Sequence, residues 1–319
     1  MIPCREEAAS DRPPVLLAVV GPTGSGKTSL AIAAAKHLDT EIISADSMQF
    51  YRGMEIGTAA PTPEELAAVP HHFVAFLAPN ETMAAGEYEP IARAEVARLN
   101  KQDRIAVVAG GSGLYISALI DGLFGGPTRN PEIRARLTAE AEEHGPAALM
   151  ARLQKVDPDY AKSISSENDV VRVVRALEVY EISGQPFSKL HQEHRAQNPP
   201  LPAVQVALEW DRAELYARIE RRVDQMIAAG WVDEVQRLLE DGHGPEINRL
   251  KALGYRELVA HIQGKQSLET AIVATKQHHR RYAKRQLTWF RSDKRIHWLP
   301  ASEESATAEL LEGVLDRLS

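Results

Sequence analysis

Eight residues near the start of the chain, Gly21-Pro22-Thr23-Gly24-Ser25-Gly26-Lys27-Thr28, have the types and spacing needed to hold a phosphate. Glycines let backbone N–H groups curl toward phosphate oxygens, and a helix that follows presents its positive N-terminus to the same anion. Lys27 adds a point charge, and the Thr28 hydroxyl is a ligand type suited to Mg²⁺. The pattern has meaning only between a strand and a helix. Residues 15–20 are a short apolar, β-prone run and residues 27–37 read as a helix, so that context is met.

A phosphate cradle does not name a reaction. Proteins that hydrolyse or transfer a terminal phosphate commonly hold Mg²⁺ with an acid at the end of a second apolar strand. Here the apolar run 104–109 leads into Gly110-Gly111-Ser112-Gly113, without an acid. The available carboxylate is Asp46, closing the run 41–45, and it is expected to face the phosphate site from a neighbouring strand. A GTPase is not expected. The pairs His71-His72 and His278-His279 do not suggest a metal, because adjacent histidines point apart and no Cys or carboxylate completes a set.

The elements that must position these groups are legible in outline. Strand-like runs at 15–20, 41–45 and 104–109 alternate with helical patterning at 27–37, 91–100 and 114–119, the mark of a parallel sheet covered on both faces. From Asn130 the pattern is helical only, with helices opening at Pro131, Pro146, Pro158 and after Asn168 or Asp169, the last stopping at Gly184. A strand returns at 203–210, followed by helices at 212–229, 232–240, 255–263 and 268–291 and a strand at 295–299. The expected fold is α/β, a P-loop-type parallel sheet with an all-helical insertion: residues 15–127 and 201–319 form the core, 128–200 the insertion, and 1–14 a disordered N-terminus.

With 319 residues, 44% of them apolar and 25% charged, the chain can bury a large core. The longest apolar run, 15–20, is far too short to span a bilayer, and the first residues carry acids and prolines where a signal peptide would be apolar. A cytoplasmic protein is expected, with a monomer as default. Cys4 is the only cysteine, which removes disulfide frameworks and Cys-based zinc sites. A net charge of −7 argues against coating nucleic acid nonspecifically, yet residues 276–295 hold eight Lys or Arg against one acid, Asp293. That stretch is either a basic amphipathic helix packed by its aromatics or a phosphate-binding surface.

Beyond Asp46 the chain reads Asp46-Ser47-Met48-Gln49-Phe50-Tyr51-Arg52-Gly53-Met54-Glu55-Ile56-Gly57-Thr58-Ala59-Ala60-Pro61, which resembles the hallmark segment of tRNA dimethylallyltransferases, the IPP transferase family. Four further segments resemble that family in the same order. They are Pro70-His71-His72, Gly110-Gly111-Ser112-Gly113-Leu114-Tyr115, Arg172-Val173-Val174-Arg175-Ala176-Leu177-Glu178 and Lys251-Ala252-Leu253-Gly254-Tyr255-Arg256, with residues 280–289 closing the set. The likeness spans about residues 15–291. It departs at Ser112, where Thr is usual, at Ala60, where Lys is common, and at Glu55, a frequent Asp.

The resemblance implies transfer of a dimethylallyl group from dimethylallyl diphosphate to N6 of adenosine 37 beside a tRNA anticodon, with Mg²⁺ as cofactor and Thr28 as its ligand. Residues Gly21, Pro22, Thr23, Gly24, Ser25, Gly26, Lys27, Thr28 and Arg222 would bind the diphosphate. Asp46 would be the general base, with Lys27, Thr23, Arg222 and Ser112 sharing the catalysis. Contacts to tRNA would come from Asp46, Ser47, Met48, Gln49, Ser112, Arg134, Val171, Arg172, Val173, Val174, Arg175, Lys251, Ala252, Leu253, Gly254, Tyr255 and Arg256. The residue types suit that chemistry: charge building on a leaving diphosphate wants cations, and an adenine amine losing a proton wants a carboxylate. An adenine extruded from its stack would enter a channel between core and insertion. Three alternatives share part of these features. Prenylation of a free adenine nucleotide needs the same diphosphate site without tRNA surfaces, a P-loop kinase needs the cradle alone, and a nonenzymatic RNA-binding protein needs the basic segments without Lys27 and Asp46.

Overall fold

The computed structural model describes residues 15–124, 126–164, 166–302 and 307–318. The expectations for residues 1–14 and for Cys4 lie outside them. The chain forms two compact units, one of residues 1–120 and 201–319, the other of residues 121–200. Residues 121–127 go with the helical unit.

The first unit begins with β1 (Leu16–Val20), α1 (Lys27–His37), β2 (Ile42–Ser44), α2 (Pro63–Ala68), β3 (His71–His72), α3 (Ala85–Asn100), β4 (Ala106–Gly110) and α4 (Gly113–Asp121). The helical unit holds α5 (Pro131–His144), α6 (Pro146–Val156), α7 (Pro158–Ser163), α8 (Val170–Ser183) and α9 (Phe187–Gln197). The first unit resumes with β5 (Ala203–Glu209), α10 (Arg212–Ala228), α11 (Trp231–Glu240), α12 (Gly244–Leu250), α13 (Tyr255–Ile262), α14 (Leu268–Ser292), β6 (Ile296–Pro300) and α15 (Thr307–Leu315).

Six parallel strands form one sheet in the order β3-β2-β4-β1-β5-β6. Central β1, Leu-Leu-Ala-Val-Val, is buried at every residue, because alternate side chains enter different cores. Leu16, Ala18 and Val20 join one cluster with Tyr88 and Val96 of α3 and Ile116 of α4; Leu17 and Val19 join another with Leu30 and Ala34 of α1. Burying each such Leu stabilises the fold by roughly 1.5–3 kcal/mol. The strand order corrects one expectation: β4 lies between β1 and β2, so Asp46 does not stand on the strand beside the cradle. Helix α3 starts at Ala85 and continues through Pro90, where the sequence reading begins it only at 91.

In the helical unit, α5, α6 and α7 each begin with Pro, whose missing N–H costs nothing in a first turn. Asn130 caps α5 by accepting from Glu132 N at 2.9 Å, and Gly184 ends α8 in the left-handed region at φ 70°. The unit packs on its own core, including Leu137, Leu153, Val173 and Leu177.

Candidate functional site

The glycine-rich turn follows β1 and opens α1, at the C-terminal edge of the sheet, where parallel α/β folds place ligands. Three elements hold it in shape. Trp210, just past β5, donates from Nε1 to Ser25 O at 2.8 Å. Arg218 on α10 stacks 4.2 Å over the Trp210 ring and donates to Gly24 O at 2.9 Å. Gln286 on α14 accepts from Thr23 N at 3.0 Å. The Ser25 Oγ is buried without a hydrogen-bond partner among the described residues. A preorganised cradle with an orphaned buried hydroxyl suits an anion that brings its own oxygens.

Lys27 is buried at the floor of the turn, 3.5 Å from Pro22 O. Burial lowers its pKa to about 8, while Asp46 pulls it up and Arg222 pushes it down. Lys27 and Arg222 line the same cavity, and the charge of Asp46 acts on both. Burial also lowers the Arg222 pKa, offset by Asp46 and then Glu65. Arg222 donates to Ala59 O at 3.2 Å. Lys27, Thr28, Arg218, Arg221 and Arg222 line a cavity of about 640 Å³, with Glu55, Ile56, Ala59, Pro61 and Met226 among its other walls. This cationic, partly apolar space has room for a diphosphate with a short hydrocarbon attached.

Asp46 reaches the cradle from two strands away because the intervening strand ends without side chains. At Gly111 an added Cβ would lie 2.4 Å from Gln286 Nε2, 3.4 Å from Gly21 O and 3.6 Å from Asp46 Oδ2. Any other residue there would push these groups apart. Asp46 Oδ1 accepts from Met48 N at 3.2 Å, which leaves Oδ2 facing the glycine pair. Gln286 closes the arrangement by donating from Nε2 to Gly111 O at 2.9 Å. Beside it, the Tyr282 phenol is pushed up to about 12, by burial first and then by the charge of Asp46.

Ser112 accepts from Ser47 N at 3.0 Å and lies 3.2 Å from Ser47 Oγ, so it fixes the Asp46 turn. Gln49, expected at the tRNA, is engaged within the fold. Its Nε2 donates to Ala59 O at 3.0 Å and its Oε1 lies 3.4 Å from Ser44 Oγ, so both ends are used inside the fold. Met48 is half-buried against the main core.

The remaining expected tRNA contacts divide by burial. Val171 and Arg172 are exposed on α8, Arg172 beside Asp169 at 3.5 Å. Val173 and Val174 are buried in the core of the helical unit, so their side chains hold that unit together. Arg134 and Arg175, both expected at the tRNA, meet the buried carboxylate of Glu178 at 3.1 and 2.8 Å, so each is tied into its own unit. In the first unit Lys251 and Arg256 are exposed and Leu253 half-buried, but Ala252, Gly254 and Tyr255 are buried. Ala252 and Tyr255 belong to the main core.

Sequence reasoning missed Gln286, Tyr282, Trp210 and Arg218. Gln286 had a signal: the buried face of α14 runs Ala271, Thr275, His279, Ala283, Gln286 and Phe290, and a Gln in such a stripe must have partners. The tetrapeptide Asn100-Lys101-Gln102-Asp103 has the spelling of a guanine-reading motif. It closes α3 at the opposite edge of the sheet, where Asn100 Nδ2 donates to Val15 O at 2.8 Å and Arg104 O at 2.9 Å. It is a structural tie, remote from the cradle.

Comparison with known proteins identifies the family. The family model described as IPP transferase matches residues 49–293. The tRNA dimethylallyltransferase 1 of Pelobacter propionicus is 44% identical over 294 residues, covering 92% of this chain and 95% of its own. The tRNA dimethylallyltransferase of Syntrophobacter fumaroxidans is 45% identical over 290 residues, covering 91% and 84%. Among solved structures, the tRNA isopentenylpyrophosphate transferase of Bacillus halodurans aligns with a TM-score of 0.68 at 36% identity, covering 95% of this chain and 96% of that one. A eukaryotic dimethylallyltransferase described as acting on tRNA aligns with a TM-score of 0.75 at 25% identity, covering 95% and 80%. A match of that extent, over a cradle whose second strand ends in glycines and whose carboxylate arrives from β2, places the chain in the IPP transferase family.

Proposed function

We propose that this chain transfers the dimethylallyl group of dimethylallyl diphosphate to N6 of adenosine 37 in tRNA, releasing diphosphate, in the cytoplasm. The observation that carries the reading is a cradle with no acid at the end of β4, with Lys27 and Arg222 lining its cavity and Asp46 facing Gly111 just past that strand. The allylic C–O bond breaks and its electron pair leaves with the diphosphate, while the N6 lone pair forms the new C–N bond. Charge that grows on the leaving group is met by the turn amides, Lys27 and Arg222. The N6 proton passes to Asp46 Oδ2, the carboxylate oxygen that Met48 does not occupy.

Mg²⁺ is part of the proposal. Thr28 lines the cavity beside Lys27, and among the described residues no group of three or more His, Cys, Asp or Glu gathers. The ion would therefore take most of its oxygens from diphosphate and water, which is how Mg²⁺ is commonly bound, and Thr28 would supply one more. Bound there, it would neutralise part of the leaving-group charge. On the RNA side, Val171, Arg172, Lys251 and Arg256 are the expected contacts that are exposed, and Asp46, Ser47 and Arg134 are half-buried. None of the described helices is long and apolar enough to cross a membrane.

The test is transfer of a radiolabelled dimethylallyl group to unmodified tRNA with Mg²⁺, beside parallel reactions offering AMP as acceptor or ATP as donor. Label in tRNA alone is expected. Label in AMP would make the chain a free-nucleotide prenyltransferase, and phosphate transfer from ATP without prenylation would make it a kinase.

A further inference from the structure

One wall of the cavity above the cradle is the stretch 54–61, of which Glu55, Ile56, Ala59, Ala60 and Pro61 line the space. It belongs to no strand or helix, and Ala59 sits in the left-handed region at φ 49°. Such a wall needs support from behind. Glu234 on α11 is buried and accepts from Ile56 N at 2.7 Å through Oε2 and from Gly57 N at 3.0 Å through Oε1. Tyr255, the first residue of α13, is fully buried, and its hydroxyl lies 2.7 Å from Glu234 Oε1 and 2.9 Å from Met54 O, sharing one proton between them. There is no slack: a Cβ on Gly57 would come within 2.0 Å of Trp231 Nε1 and 2.4 Å of the Tyr255 oxygen.

On the cavity side the same stretch ends in a carbonyl with two donors, since Ala59 O accepts from Arg222 Nη2 at 3.2 Å and from Gln49 Nε2 at 3.0 Å. We propose that Glu234 and Tyr255 are positioning residues for the donor: they lock residues 54–57 from inside the core, and the locked wall holds Arg222 through Ala59 O at the cavity that takes the allylic diphosphate. The inference rests on assigning that cavity to the donor. A buried carboxylate is tolerated where donors satisfy it, and two of the three here are backbone N–H groups that would otherwise be orphaned. The segment 251–256 thereby acquires an inward function at Tyr255, toward diphosphate, while Lys251 and Arg256 stay at its surface.

Tyr255→Phe and Glu234→Gln in the full chain separate this role from RNA binding. Three quantities are read: amide hydrogen exchange at Ile56 and Gly57, kcat/KM for dimethylallyl diphosphate, and the Kd for unmodified tRNA. Exchange is expected to quicken by about tenfold or more, donor kcat/KM to fall by about tenfold, and tRNA Kd to move by less than about twofold. Tyr255→Phe removes one oxygen only and carries the test if Glu234→Gln does not fold. Unchanged exchange in Tyr255→Phe, or weakened tRNA binding with intact donor kinetics, would overturn the proposal. A wild-type chain that moves no prenyl group would overturn the donor assignment itself, and the exchange rates, which need no substrate, tell that failure apart from failure of the clamp.

Discussion

Replacing Gln286 with Leu tests whether the cradle and the Asp46 side of the site are tied together from α14. The amide spans two backbone groups that no sheet or helix pairs, Thr23 N at 3.0 Å and Gly111 O at 2.9 Å. Leucine fills similar volume and satisfies neither. Leaving a buried polar group unpaired costs about 1–3 kcal/mol. Thr23 is half-buried and Gly111 buried, so the low end for the first and the middle for the second give a destabilisation of about 3 kcal/mol. Function should suffer beyond stability, because the turn and the glycine pair are then free to drift, and a misplacement of about 1 Å can cost about a hundredfold in rate. The assay pairs urea denaturation with donor kcat/KM measured well below the melting point. Gln286→Glu is the control for volume. It keeps the acceptor for Thr23 but sets an oxygen against Gly111 O, so its activity should recover as pH falls and the carboxyl protonates. A Leu variant within about 0.5 kcal/mol of wild type and within about twofold in donor kcat/KM would refute the link.

Four shorter expectations follow from the same geometry. Asp46→Asn should lower transfer by about 10²–10⁴-fold while tRNA Kd stays within about threefold, and equal loss of both would remove Asp46 as the base. Arg222→Ala should raise the donor KM more than the tRNA KM; the reverse ranking refutes its place at the diphosphate. Lys27, lowered to about 8 by burial, is charged below that pH and neutral above it, so donor kcat/KM should fall on a limb near pH 8 that Lys27→Arg removes. A profile flat to pH 9 in wild type would contradict this. His279 is buried with Nε2 unpartnered among the described residues, and burial followed by Arg222 lowers it to about 4. Its folded pKa lies below the unfolded value of about 6.5, so its contribution is complete above pH 6.5 and is lost as pH falls through about 4, a swing of about 3 kcal/mol. His279→Leu should flatten that part of the stability curve, and an unchanged slope would refute the assignment.

What could be read from sequence was whatever is local. The cradle, its flanking strand and helix, the Pro-opened helices of the second unit and the glycine stop after α8 each depend on a few consecutive residues, and each stands where patterning puts it. Chain order, however, is not sheet order. The run 41–45 follows the cradle helix directly, so Asp46 read as a neighbour, yet β4 inserts between β1 and β2. Motif residues were also read as facing outward because motifs suggest contact. Tyr255 and Gln49 instead turn inward, and nothing in six consecutive residues reveals which side of a turn meets Trp231. Gln286 was missed for a different reason: it lies on the buried face of α14, but the groups it ties, Thr23 N and Gly111 O, are 263 and 175 residues away along the chain, and no local pattern names such partners.

The missing acid on β4 and the displaced acid beyond β2 are two parts of one arrangement. A carboxylate at the end of β4 would stand beside Lys27, on the ground now occupied by Gly110-Gly111, and would compete with the diphosphate for the same cations. With glycines there, Asp46 faces the cradle across bare backbone, one oxygen held by Met48 N and the other turned toward Gly111. In the proposed reaction the leaving group needs cations while the nucleophile needs a proton acceptor, and the two must come close without neutralising each other. Setting the base one strand further out, and fixing the gap with the two hydrogen bonds of Gln286, separates the roles. On this argument Gly111→Ala should be more damaging than its one added methyl suggests, because that carbon would displace Gln286 and press on Asp46 together. The check is donor kcat/KM for Gly111→Ala alone and with Gln286→Leu. Losses that multiply as independent effects would refute a shared mechanism, whereas a double variant little worse than the poorer single one is the expected result.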